Sequence, residues 1–320
     1  MANKSFNTPI LFLIYKNPEV TLRTFEAIKK IRPTSLYISA DGPKSEEDYE
    51  DCMLTREIIS RVNWNCDIKT RFLRKNLGLK IAVSSAIDWF FSEVSEGIIL
   101  EYDCLAGHDF FIFCEEMLSR YRDDKDIFSI SGTNLQNGTW RGDGDYYYSN
   151  FFGCWGWATW ARAWKYWRPD LKNYEIFSEH HQLDNFLSDK YVRNQFNTSL
   201  QEIYDGKNTT TWAFCFEYAQ LTNRGLTIVP NKNLISNIGF GPTGTHAKNA
   251  KHPLANMQIH KLKNFRAPTF KIANLQADLQ QNKSAYFMPL KDIFLSKIRV
   301  LINLIFPVFL TRYIKRKLKR

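Results

Sequence analysis

Apolar runs and amphipathic stretches take turns along the first 130 residues. "PILFLIY" (9–15) is a short continuous apolar run, which predicts a strand buried on both faces. Residues 19–31 then carry apolar side chains at 20, 22, 25, 28 and 31, the spacing of a helix face. "SLYISA" (35–40), "CDIKTRFL" (66–73), "GIIL" (97–100) and "IFSISG" (127–132) read as further strands. Between them "EEDYEDCMLTREIISRV", "LKIAVSSAIDWFFSEV" and the stretch near 109–121 read as helices. Strands alternating with helices of this length predict β-α-β units and a mostly parallel sheet. Ligands of such sheets bind beyond the carboxyl ends of the strands.

The pattern loosens over 133–250. Loops ("NLQNGTWRGDGDYYYSN") lead to an aromatic segment ("FFGCWGWATWARAWKYW"), helical stretches around 176–204 and 211–224, and a Gly-rich piece ("SNIGFGPTGTH"). Trp157, Trp160 and Trp164 fall at helical spacing, so the later tryptophans are expected in a core. Residues 251–290 are polar and linker-like, and 291–320 turn apolar and basic. One domain is therefore expected over 1–250, followed by a linker and a tail.

The net charge of +10 suggests nucleic acid or membrane as a partner, but its location decides. Residues 297–320 hold eight Lys/Arg and no acid. Without them 35 basic residues face 33 acids, a balance of +2. A nucleic-acid reader carries its basic residues across a folded face, so no nucleic-acid partner is expected. "IRVLINLIFPVFL" (298–310), at thirteen residues, is too short to cross a bilayer, which takes about 20. With "TRYIKRKLKR" behind it, the tail suits an in-plane helix on an anionic membrane surface. A helix docked on the body is the alternative. Six scattered cysteines without metal-ligand spacing read as reduced thiols in a cytosol, and the N-terminal apolar run reads as a strand rather than a signal peptide.

The chemistry gathers at predicted strand ends. "GIILEYDCLAGHDFF" runs from a buried strand straight into Glu101 and Asp103. Hard carboxylate oxygens there suit Mg²⁺ or Mn²⁺ and leave room for a diphosphate, although a solvated acidic turn has the same pattern. Asp41 ends the second strand, where it can accept a base N–H or a ribose hydroxyl or simply shape a turn. "RKNLGLK" (74–80) opens a helix, so Arg74, Lys80 and backbone N–H groups are candidates for phosphate. Tyr15 and Asn76 join them as donor-site candidates. Neither a P-loop nor a dinucleotide fingerprint follows the first strand.

The ordered blocks "FLIYKNPEVTLRTFEAI", "LYISADGPK", "RKNLGLKIAVSSAIDWFF", "GIILEYDCLAGHDFFIFCEEML", "SISGTNLQNG", "CWGWATWARAW" and "LISNIGFG" resemble GT-A fold bacterial polysaccharide glycosyltransferases related to the N-acetylglucosaminyltransferase I type. The resemblance spans roughly residues 8–246. It implies an α/β nucleotide-diphospho-sugar transferase fold and inversion at the anomeric carbon. It also implies a UDP-linked donor, a divalent metal on Asp103, and Asp41 at the base. The family's E-D-D reads E-Y-D here, so Tyr102 replaces an acid that would help hold ribose. The family's Thr/Ser-Trp-Asp segment, which supplies a general base, reads "TTTWAFCFEYA", with Ala213 in the acid's place. Glu217, four residues on, and Asp205, in the preceding loop, are the candidate bases. Trp155, Gly156 and Trp157 are expected near sugar and acceptor. His246 is either a late metal ligand or a loop residue.

The expectation is a metal-dependent glycosyltransferase extending a surface glycan, on an acceptor possibly lipid-linked, at the inner face of the cell membrane. A nucleotidyltransferase is a second reading, but it calls for a Gly-rich basic loop where "YKNPEV" stands. A catalytically degenerate scaffold is a third.

Overall fold

The computed structural model describes residues 5–241, 249 and 251–285. His246 and the basic tail lie outside the described residues. The chain divides into two compact units, 1–281 and 282–320.

In chain order the first half comprises β1 (Ile10–Ile14), α1 (Pro18–Ile31), β2 (Ser35–Ala40), α2 (Tyr49–Arg56), β3 (Asp67–Phe72), α3 (Leu79–Glu93), β4 (Glu96–Glu101), β5 (Cys104–Ala106), α4 (His108–Arg120) and β6 (Ile127–Ser131). The second half comprises β7 (Tyr146–Ser149), β8 (Trp157–Trp160), α5 (Ala161–Trp164), α6 (Tyr174–Glu179), α7 (Lys190–Tyr204), α8 (Ala213–Thr222), β9 (Leu226–Pro230), β10 (Ile235–Asn237) and α9 (Leu275–Ala285). Short 3₁₀ turns flank α2 and precede α7.

Eight strands form one sheet in the order β3-β2-β1-β4-β8-β6-β9-β7, and β5 pairs with β10 in a second, two-stranded sheet. β1 is parallel to β2 and β4, and β2 is parallel to β3. β8 runs antiparallel between β4 and β6. The sheet is sandwiched, as its run-on apolar strands require. Ile10, Phe12 and Ile14 of β1 enter one core, with Phe110, Phe113 and Met117 of α4. Leu11 and Leu13 enter the other, with Val83, Ile87 and Phe90 of α3. Period-2 alternation thus feeds two cores from a strand whose sequence shows none.

Helix entry follows local chemistry. Asn17 caps α1 through its Oδ1, which accepts the Val20 N–H at 3.2 Å, and Pro18 takes the first turn, where its missing N–H costs nothing. Asp189 caps α7 in the same way, accepting from Tyr191 and Val192.

Two parts depart from the sequence reading. Trp157 and Trp160 belong to strand β8, not a helix. Trp157 enters the α3-side core and Trp160 the α4-side core, so residues three apart point to opposite faces. Within the segment read as linker-like, residues 262–278 are instead bound to the body. Leu262 N–H donates to Asp109 Oδ2 (2.8 Å), Arg120 Nη1 donates to the Phe265 carbonyl (2.7 Å), and Lys271 pairs with Asp124 (2.9 Å) and Asp126 (2.7 Å). Ala273 bridges Tyr148 of the edge strand β7. Asp278 of α9 is fully buried and accepts from Ser149 Oγ at 2.6 Å and Asn150 Nδ2 at 2.7 Å. These contacts are polar and long-range in sequence, which is why composition alone resembled a linker.

Candidate functional site

The sheet register brings the predicted residues to one edge. Leu13 pairs with Glu101 and Ile14 with Ala40, so Tyr15, Asp41 and Glu101 all stand at the carboxyl ends of neighbouring parallel strands. Asp103 lies in the turn between β4 and β5.

Asp41 works as a staple. Its Oδ1 accepts the N–H groups of Gly42 (2.8 Å) and Leu77 (2.9 Å), and its Oδ2 accepts that of Gly78 (3.2 Å). Asn76 adds a second tie, donating from Nδ2 to the Gly42 carbonyl at 2.8 Å and accepting the Gly78 N–H at 3.1 Å. A Cβ on Gly42 would come within 2.3 Å of the Lys75 backbone, so glycine is required for the approach. The result fixes the 74–78 loop against the end of β2 and leaves Arg74 exposed. Lys80 does not reach toward that loop's mouth: its Nζ donates to the Pro169 carbonyl at 2.8 Å. Tyr15 donates its hydroxyl to Asp48 Oδ2 (3.0 Å), and Lys16 Nζ donates to Oδ1 of the same carboxylate (2.6 Å). Burial and then the Asp48 bond push the Tyr15 phenol well above its usual range, so it stays a neutral donor.

The acids at the end of β4 are electrostatically tense. Burial, and then the neighbouring Asp103 carboxylate, push Glu101 up to about 8. Glu101 keeps some surface open to solvent. The loop after β10 closes on Asp103. Ile238 N–H donates to the Asp103 carbonyl at 2.8 Å, and a Cβ on Gly239 would lie 2.3 Å from Asp103 Oδ2. Phe240 then meets Trp155 edge-on at 5.7 Å between ring centroids and stacks on His252 at 5.1 Å.

Glu217 sits in α8, partly open to solvent, and its Oε1 accepts the Phe152 N–H at 3.2 Å. Burial raises it to about 8, the Phe152 N–H opposes that, and Asp278 adds to it. Burial first, and then mainly the charges of Glu101 and Glu217, push the Cys154 thiol far up. Glu217 itself responds to Asp278 and not to the strand-end acids, whereas Glu101 responds to Asp103.

Other candidates fall elsewhere. Asp205 is exposed at the C-terminal end of α7, tied to Lys207 (2.5 Å) and Gln201 (2.7 Å). Trp157 is fully buried and stacks on Trp212 at 5.6 Å, so it is core rather than a sugar platform. Gly156 takes a left-handed φ of 62°, and a Cβ there would strike Ile235 at 2.4 Å. Its role is to turn the chain into β8 while Trp155 stays partly exposed.

The sequence did not single out Cys154, Gly239 or the Phe152 N–H. Gly239 was legible only as one glycine in "SNIGFG", since its contact with Asp103 spans 136 positions by their numbers.

Among the described residues no three His, Cys, Asp or Glu side chains converge as a metal cage. The two strand-end carboxylates nevertheless fit a hard cation whose shell is completed by phosphate oxygens and water, as Mg²⁺ is commonly held.

No family model and no curated protein matches the sequence. Among solved structures, HddC from Yersinia pseudotuberculosis is 11% identical over 48% of this chain and 77% of its own, with a TM-score of 0.31. Mannosyltransferase PcManGT from Pyrobaculum calidifontis, in complex with GDP-Man and Mn²⁺, is 10% identical over 48% of this chain and 45% of its own, with a TM-score of 0.33. A cytidylyltransferase from Leptospira borgpetersenii is 12% identical over 50% of this chain and 63% of its own, with a TM-score of 0.32.

Proposed function

We propose that the chain is an inverting, metal-dependent GT-A type glycosyltransferase. It moves a sugar from a nucleotide-diphosphate donor, UDP-linked by the resemblance of its motifs, to a hydroxyl of a growing bacterial surface glycan. The observation that carries the reading is the register that sets Asp41 and Glu101 at the carboxyl ends of neighbouring parallel strands, with Asp103 in the turn just after β4. Acids there suit a metal diphosphate, and Glu217 on α8 is the candidate proton acceptor. The basic tail, outside the described residues, suits attachment to an anionic membrane face where a lipid-linked acceptor is presented.

Each residue has a task in this reading. Asp103 would hold the cation, and the close approach of Gly239 limits that carboxylate's room to move. A bound Mg²⁺ or Mn²⁺ would supply Lewis-acid neutralisation of the departing nucleoside diphosphate. Glu101 accepts a ribose hydroxyl. Asp41 and Asn76 hold the loop that carries Arg74 beside the donor. Trp155, braced by Phe240, gives the sugar an aromatic wall. Glu217 takes the acceptor hydroxyl's proton, which requires its ionised form.

The nucleotidyltransferase reading finds less support. The residues after β1 enter α1 directly, with Lys16 spent on Asp48 and Asn17 on the helix cap. The test is calorimetry of UDP, GDP and CDP with and without Mn²⁺, on wild type and Asp103→Ala. Mn²⁺-dependent binding of one nucleotide, lost in the variant, is expected. Absence of binding for all three sinks the reading.

A further inference from the structure

A cavity of about 920 Å³ lies away from the strand-end carboxylates, between α8, the turn after α5 and the α6 region. Cys215, Tyr218, Ala219, Leu221 and Thr222 of α8 line it. At 100° per residue Cys215, Tyr218, Ala219 and Thr222 share one face of the helix, Leu221 stands at its margin, and Glu217, which does not line the cavity, lies opposite that face's centre. The cavity is thus a second site, backed by the same helix that carries the proposed base.

Its lining has one sign of charge. Arg168, Lys172 and Arg224 reach it, and no Asp or Glu does. All three are exposed. Arg168 is braced by the carbonyls of Lys165 (2.8 Å) and Trp167 (2.7 Å). Lys172 and Arg224 have no side-chain partner among the described residues, so their charges are available to a ligand. A body of nearly balanced charge that collects three cations without one acid at a concave surface focuses anions there.

The rest of the lining is not that of a simple anion hole. Five amide side chains, Asn150, Asn173, Gln182, Asn185 and Asn223, line it; the nitrogens of all but Asn173 already donate within the protein, which fixes their orientation and leaves a remaining N–H and the carbonyl lone pairs for a ligand. Tyr166, 41% exposed, is braced by stacking on Phe128 at 5.5 Å, with the Lys165 ammonium 5.1 Å from its ring centre. Ile176, 58% exposed, extends the apolar rim. Tyr218 donates its hydroxyl to the Lys172 carbonyl at 2.9 Å, which fixes the stretch that carries the cation. Amides that match vicinal hydroxyls, a braced aromatic face and unopposed cations are together the complement of an acidic saccharide. The volume holds several sugar rings.

We infer that this cavity binds an anionic oligosaccharide, a chain bearing carboxylate or phosphate groups, at a site separate from the strand-edge centre. Its composition stands whether or not that centre transfers sugar. If it does, the cavity grips a distal part of an acidic glycan and holds the enzyme to it between additions.

The test uses the full chain and three probes: tetragalacturonate, neutral maltotetraose and inorganic phosphate, titrated by calorimetry in low salt. Wild type is compared with the Lys172→Glu/Arg224→Glu double variant and with Lys29→Glu, a distant charge control. Tetragalacturonate is expected to bind at least about tenfold tighter than maltotetraose, and the double variant to lose at least about tenfold while the control loses nothing. A phosphorylated oligosaccharide that outcompetes tetragalacturonate in wild type alone supports the same site and identifies phosphate as the preferred anion. Equal affinity for acidic and neutral chains, an unchanged double variant, or phosphate binding as tightly as the oligosaccharide would each overturn the inference. UDP–Mn²⁺ binding measured on the same double variant separates the two sites: it is expected unchanged, and its failure in wild type leaves the saccharide titration to stand on its own result.

Discussion

At the scale of single residues, the site depends on how closely backbone and carboxylate approach. Gly239 is the sharpest case. A methyl group there would overlap Asp103 Oδ2, so Gly239→Ala forces the carboxylate or the loop to move. The expected cost is about 1–3 kcal/mol of stability, with at least tenfold weaker Mn²⁺-dependent nucleotide binding. Thermal melting and calorimetry on one preparation measure both, and nucleotide affinity equal to wild type would remove Gly239 from the site. Glu217 offers a pH signature. Raised to about 8, it is protonated at neutral pH, so a base in this position gives a rate that climbs with pH toward a plateau above about 8. Glu217→Gln is expected to lower kcat by on the order of 10²–10⁴-fold and to abolish that limb. The same shift sets a stability trend. The native state binds the proton more tightly than the unfolded chain, so Glu217's favourable contribution is complete below pH 4.5 and is lost as pH rises through about 8. The Gln variant should therefore gain stability relative to wild type across that window, and denaturant melts at pH 5 and 9 read the difference. A constant difference would mean that Glu217 is not protonated in the folded protein. None of this was legible in the sequence, where Glu217 stood out only as an acid one turn past a missing one.

At the scale of elements, the strap over 251–281 has a structural task that the sequence concealed. β7 pairs with β9 on one side only, and its other edge meets the strap at the Tyr148–Ala273 bridge. An uncovered edge strand rich in tyrosine invites pairing with other chains. A chain ending at residue 250 is expected to melt lower and to aggregate. A chain ending at residue 285 keeps the strap and is expected to stay monodisperse in light scattering. Equal behaviour of the two would reduce the strap to a passive linker. β1, β2 and β4 with α1, α3 and α4 were readable because those strands are mainly apolar runs and each of those helices shows one apolar face, while β3 was readable because Ile68, Thr70 and Phe72 alternate with charged residues. β8 was not, because a central antiparallel strand with both faces buried puts tryptophan on either side and mimics helical spacing. β5 and β10, at three residues each, leave too short a trace for any period.

At the scale of the whole molecule, charge is divided along the chain rather than over a surface. The body carries +2, and the last 24 residues carry +8. That division separates two kinds of encounter. On the proposed reading, soluble donors would meet a body of little net charge, whereas an anionic membrane would meet the tail. Each Lys or Arg near such a surface contributes about 1 kcal/mol, and the apolar run from Ile298 to Leu310 adds burial in the headgroup region. Full-length protein is expected to cosediment with vesicles containing phosphatidylserine and to be released by high salt, while a chain ending at Ser296 remains in the supernatant. Neutralising Lys315, Arg316 and Lys317 to Gln should reduce partitioning on the order of 100-fold at low ionic strength. Binding that is equal on neutral vesicles would assign the attachment to the apolar run alone. Failure of the full chain to cosediment would favour the tail packing as a helix on protein, and the acceptor would then have to reach the enzyme from solution.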